Sequence, residues 1–228
     1  MYDILDLIYD NLLKINEFRG EYEKDDIELY KIQEQFQFFL TEFPYKFRSI
    51  ILLMEIGNYT DASIILRSLI ETFCFFKYYA VKNQGQKLIE YINQDKKSKI
   101  RIKDIMEDIA PGFYDKEYAL LCNSSHGNPN LMGILRGNVD RNNYLKYNMY
   151  NINEDWASMI INLTLQLIVG MFNMFDFIFK DSKIKSFKSL DDNIKIVLDF
   201  INSDIVNRYE RFPKQREMID KYKMMITF

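Results

Sequence analysis

The sequence predicts an all-α fold, a helical bundle with a C-terminal helical extension. Three observations predict it. Apolar residues recur at spacings of three, four and seven along most of the 228-residue chain, the period of helices with one buried face. Only 8 Gly and 4 Pro are present, too few turn-formers for a many-stranded sandwich or barrel. Apolar residues make up 48% and charged residues 28%, which suffices for a core and is unlike a disordered chain.

The elements follow in order. Ile4, Leu5, Ile8, Leu12, Leu13 and Ile15 lie on one face of a helix over 1–19, ending near Gly20. A second helix over 25–43 is stopped by Pro44, and a third over 45–56 is closed by Gly57. Thr60 is the expected N-cap of a long apolar helix over 61–81. Shorter helices are expected over 86–93 and 98–109, a break at Pro111-Gly112, and a further helix over 114–124. Residues 127–153 are rich in Asn and Gly and have no sustained period. They are expected to form a long loop of the kind that often serves function, or a partly helical segment whose Asn content reflects genome composition.

The stretch 159–179 nearly has the length of a membrane span. Ser158, Asn162, Gln166, Asn173 and Asp176 nevertheless make a polar stripe along it, so a core helix over 154–180 is the expectation. After a polar linker at 181–186, Ser189 and Asp192 resemble a capping box opening a helix to about 207, with another after Pro213. The chain therefore divides into a bundle over 1–180 and an extension over 181–228.

Composition excludes several classes. Two Cys and one His rule out a disulfide scaffold and a Cys/His zinc site. A net charge of −3 argues against a DNA-coating protein. No secretory signal is visible at the N-terminus, and a cytoplasmic location without membrane attachment is expected. Charge is uneven: residues 1–40 hold ten acids and four bases, and 82–104 hold seven bases and three acids. Lys96, Lys97, Lys99, Arg101 and Lys103 crowd together as a candidate RNA-binding patch, or as a surface for an acidic segment of a second subunit, or simply as a solvated helix start.

The helix over 61–81 is the most informative segment. Arg67 and Glu71 interrupt a nearly continuous apolar run and, four apart, lie on one face. A buried charge is costly, so they must pair with each other or with a third polar group, as a packing device or as part of a polar site. His126 is the one histidine and the natural proton carrier near neutral pH, although a lone histidine is more often structural. Most chemistries lack their residues: there are no paired Glu-x-x-His for a di-iron site, no G-x-S-x-G elbow, no P-loop and no G-x-G-x-x-G. What survives is chemistry without metal or cofactor, in which an Arg steadies phosphate charge and a His moves a proton. RNA cleavage suits such a pair because the 2′-hydroxyl is an internal nucleophile. The same residues equally suit nucleotide binding without cleavage.

Two motifs carry a resemblance. The segment 57–71 has the form G-x-x-x-x-A-x-x-x-x-R-S-x-x-E, with Gly57, Ala62, Arg67, Ser68 and Glu71. About fifty residues on, Tyr118, Leu121, Cys122, His126 and Gly127 follow Y-x-x-L-S-x-x-x-H-[PG], with Cys122 where Ser is usual. Over roughly 45–180 the chain resembles an uncharacterised bacterial family of helical proteins, itself similar to the HEPN superfamily of nucleotide-binding helical bundles. Many HEPN proteins are metal-independent ribonucleases of toxin–antitoxin and phage-defence systems, and they often dimerise. Their usual motif is Arg, four to six residues, then His on one helix. Here no Arg stands at that distance before His126, and Arg67 on another helix, Arg136 or Arg141 would have to supply it.

The resemblance implies a HEPN-like toxin or phage-defence protein, a metal-independent endoribonuclease. In it His126 is the general acid/base, Arg67 the phosphate stabiliser and Glu71 the residue that orients Arg67. Asn123, Ser125, Arg136 and Arg141 are candidate ligand contacts. RNA or a nucleotide, a second copy of the chain and a protein from the same operon are the expected partners. The rival expectation is a non-catalytic module that binds a nucleotide or protein, as a regulatory or antitoxin-like subunit using its acidic N-terminal helices.

Overall fold

Asp26 starts the first described helix by accepting hydrogen bonds at its carboxylate from the backbone N–H groups of Glu28 and Leu29, both at 3.0 Å. These bonds hold its carboxyl below the usual range. The computed structural model describes residues 25–93, 100–126, 137–139, 145–147 and 154–179. Within them lie helices α1 (Ile27–Glu55), α2 (Tyr59–Val81), α3 (Gly85–Ile92), α4 (Ile102–Ile109), α5 (Ala119–Ser125) and α6 (Glu154–Ile178). A single π-helical turn, Tyr114–Tyr118, precedes α5. The fold is all-α apart from one short antiparallel ribbon, in which β1 (Gly137–Val139) pairs with β2 (Leu145–Tyr147).

Helix α1 corrects the expectation of two helices broken at Pro44. It runs through, with Pro44 buried inside it. Phe36, Phe39, Phe43 and Phe47 make one continuous buried stripe across the proline. The packing of that stripe outweighs the lost backbone hydrogen bond and the roughly 3 kcal/mol that an interior proline costs. The end of α1 is closed as expected at Gly57, whose φ of 75° is the left-handed conformation that glycine adopts freely. Gly57 N–H bonds Met54 O and Asn58 N–H bonds Leu53 O, the paired bonds of a Schellman closure. Asn83, at φ 47°, closes α2 in the same way through Asn83 N–H to Ala80 O and Gln84 N–H to Tyr79 O.

Helix α2 begins two residues earlier than expected. Asn58, not Thr60, supplies the cap, accepting from Asp61 N–H at 3.4 Å. The short helices α3 and α4 occupy Gly85–Ile92 and Ile102–Ile109, close to the expected ranges. Part of the expected long loop is the ribbon β1–β2. The helix expected over 1–19 and the extension over 181–228 lie outside the described residues.

The core is built where α1, α2 and α6 meet, and it is aromatic. Phe36 packs edge-on against Phe76 at 5.3 Å, and Phe39 stacks on Phe76 at 5.4 Å. Helix α6 contains Met159–Ile178, the one described helix long and apolar enough to cross a membrane, yet 78% of that stretch is buried inside this fold. Its polar stripe is internal at Asn162 and Gln166, where Gln166 Nε2 donates to Asn162 Oδ1 at 2.7 Å, and solvent-facing at Asp176. Both cysteines are free, and burial pushes the Cys74 thiol up to about 12.

Helices α2 and α6 approach closely at Gly170. A Cβ there would stand 2.7 Å from Phe73 Cζ, and Phe73 is itself buried. Gly170→Ala is therefore expected to lower unfolding free energy by about 1–3 kcal/mol through overpacking, measured by urea denaturation.

Candidate functional site

Helix α2 has two faces. Leu66, Leu69, Ile70 and Phe73 are buried in the core, while Arg67 and Glu71 point from the opposite side toward α5. Their side chains retain 26% and 30% exposure, so the pair sits at the edge of the bundle rather than sealed inside it. Arg67 Nε donates to Glu71 Oε1 at 2.8 Å, the expected i,i+4 ion pair.

The third polar partner is Tyr118. The π-helical turn, marked by Tyr118 N–H bonding Phe113 O at 3.2 Å, ends on this residue. Its hydroxyl donates to Glu71 Oε1 and receives a 3.3 Å contact from Arg67 Nε. The Arg67 guanidinium also lies 5.5 Å from the centre of the Tyr118 ring. Burial raises the Tyr118 pKa and the hydrogen bond to Glu71 raises it further, with Arg67 opposing. For Arg67, burial works against the charge, but the bonds to Tyr118 and Glu71 outweigh it and hold the guanidinium charged more firmly than usual.

The other end of the guanidinium meets the C-terminus of α5. Arg67 Nη1 donates to Ser125 Oγ at 2.8 Å and lies 3.4 Å from His126 Nε2. Ser125 Oγ donates its own hydrogen to Cys122 O at 2.9 Å, and His126 N–H bonds the same carbonyl at 2.9 Å. His126 is exposed. One arginine thus links a carboxylate and a phenol on its inner side to a serine and a histidine on its outer side.

Of the three arginines considered as partner for His126, Arg67 makes the contact, and it comes from another helix; Arg136 and Arg141 lie outside the described residues. Asn123 is exposed on α5, outside the hydrogen-bonded cluster. Lys96, Lys97 and Lys99 are outside the described residues, and the two described bases of that group are paired. Arg101 holds Asp104 at 2.9 Å and Lys103 holds Asp115 at 2.9 Å. Lys103 also sits over Tyr114, which stacks on Tyr118 at 5.1 Å, so an aromatic ladder joins α4 to the Arg67 cluster. Among the described residues no group of three His, Cys, Asp or Glu is placed to hold a metal ion. Tyr118 was visible in the second motif without an assigned role. The signal for it was the demand of an Arg–Glu pair on an apolar helix for a further polar neighbour.

Residues 39–109 match a family described as "Family of unknown function (DUF5677)". The match takes in α2 with Arg67 and Glu71 and ends before Tyr118, Ser125 and His126. The resemblance is thus to a family whose function is not known, over part of the chain. No curated protein and no solved structure matches significantly.

Tyr118 gives two expected outcomes. Tyr118→Phe, which keeps the ring and deletes the bond to Glu71, is expected to cost about 1.5–3 kcal/mol at neutral pH in denaturant titrations. A pKa raised in the folded state means the native form holds its proton longer. That contribution is present below the ordinary tyrosine value of about 10 and is lost as pH rises above it. The alkaline fall in wild-type stability is accordingly expected to be shallower in Tyr118→Phe.

Proposed function

We propose that this chain is a HEPN-like protein of the toxin or phage-defence type that cleaves RNA without a metal. The observation that carries the reading is the contact between Arg67 Nη1 and His126 Nε2 at an exposed edge of the bundle, between residues 59 apart in sequence. The contact supports the reading because HEPN ribonucleases carry an Arg and a His on one helix, and here Arg67 on α2 meets His126 directly after α5. Arg67 stabilises charge on the phosphodiester oxygens, and His126 transfers the proton. Glu71 and Tyr118 keep the guanidinium in place, and Ser125 fixes its outer end. The reaction uses the RNA's own 2′-hydroxyl as nucleophile. The resemblance further suggests action in the cytoplasm, as a homodimer, with a partner protein encoded nearby.

A second reading, a non-catalytic nucleotide- or partner-binding module, draws support from the ion pairs of Arg101 and Lys103, which leave those two bases neutralised for RNA. Expression in a bacterial host separates the two. Wild type is expected to arrest growth with fragmented total RNA, and Arg67→Ala or His126→Ala to relieve both. In purified protein, His126→Ala is expected to slow cleavage about 10²–10⁴-fold while changing stability by less than about 0.5 kcal/mol, since the residue is exposed. Unimpaired growth with intact RNA would give the binding module the stronger claim.

A further inference from the structure

The contact at His126 fixes more than proximity. A guanidinium offers five N–H donors and no lone pair, and it stays charged across the accessible pH range. One Nη1 hydrogen goes to Ser125 Oγ, and the other faces His126 Nε2. A hydrogen on Nε2 would set two donors against each other at 3.4 Å. Nε2 must therefore present its lone pair, and the single hydrogen of the neutral ring lies on Nδ1.

Arg67 is not free to turn away and undo this. Its Nε is tied to Glu71 at 2.8 Å and Tyr118 at 3.3 Å. Ser125 gives its hydrogen to the Cys122 carbonyl, which leaves its lone pairs for Arg67. The ring nitrogen that a partner occupies decides what the opposite nitrogen carries, the logic by which carboxylates orient metal-bound histidines. Here the partner is a cationic donor, so the sense is reversed.

We propose that Arg67 is a positioning residue for His126, fixing the neutral ring as its Nδ1–H tautomer and presenting that N–H as a hydrogen-bond donor for an anion at the bundle edge. On the RNA reading, on which this consequence rests, an arriving phosphodiester first meets a donor at Nδ1. The ring's lone pair comes free only when the exposed imidazole turns away from Nη1.

The chain holds one histidine, so ¹⁵N NMR of the full-length protein gives one set of ring signals. In mildly alkaline buffer, where an ordinary imidazole is neutral, Nε2 is expected at the shift of a bare nitrogen and Nδ1 at that of a protonated one. Arg67→Ala is expected to move both toward the averaged shifts of a free imidazole. A wild-type ring protonated at Nε2 overturns the proposal, whether or not the variant folds. An unchanged pattern in a folded Arg67→Ala overturns it too. An Nδ1–H ring in a protein that leaves RNA intact sustains the tautomer assignment and removes the cleavage reading. An Nε2–H ring in a protein that cuts RNA does the reverse.

Discussion

A guanidinium and a carboxylate, one turn apart on a helix whose other face is core, set the constraint around which this part of the fold is arranged. Taking both charges wholly out of water would cost several kcal/mol per ion, and leaving either unpaired would cost more. The chain does neither. Arg67 and Glu71 keep about a quarter to a third of their side-chain surface, and each gains a hydroxyl partner: Tyr118 for Glu71, Ser125 for Arg67. Both hydroxyls come from the segment around α5. The polar cluster is thus the device that seats that segment on α2, where Tyr118 and Leu121 add apolar burial.

That arrangement makes α2 the shared wall of core and site. Its inner face packs against α1 and α6 through Leu66, Phe73 and Phe76, in a core of interlocked aromatic rings. Dense packing of this kind is rigid, and rigidity is what a polar cluster on the outer face needs if its geometry is to hold. The π-helical turn matters for the same reason. Its i→i+5 bond shifts the register ahead of α5, and Tyr118 falls where its hydroxyl meets Glu71 and its ring lies beneath Arg67.

Much of this was legible in the sequence, and the failures have physical causes. The 3.6-residue period located α2 and α6 to within about two residues, because both carry long apolar runs bounded by turn signals. Pro44 misled because local propensity says nothing of the four phenylalanines that hold α1 together across it. The cap of α2 was misplaced because Asn58 and Thr60 are both good capping residues, and only the closure of α1 at Gly57 decides between them. Arg67, Glu71 and His126 were found from charge in an apolar helix and from a unique imidazole. Their meeting was beyond reach of spacing, because it depends on how α5 folds back on α2. Tyr118 stood in the second motif without a role, because nothing local shows which of 16 tyrosines meets Glu71.

On the proposed reading, the bonds of Arg67 also bear on what this edge can hold. Of the guanidinium's five hydrogens, the one on Nε is spent on Glu71 and Tyr118, and the two on Nη1 face Ser125 and His126. On the proposed reading, the two on Nη2 are what remain for a ligand, on a side chain that keeps 26% of its surface. Two hydrogens on one nitrogen suit one phosphate group, and the aromatic ladder beyond it ends in Lys103 already bound to Asp115. On the proposed reading, the backbone of an RNA, with one phosphate per nucleotide, matches that one remaining nitrogen.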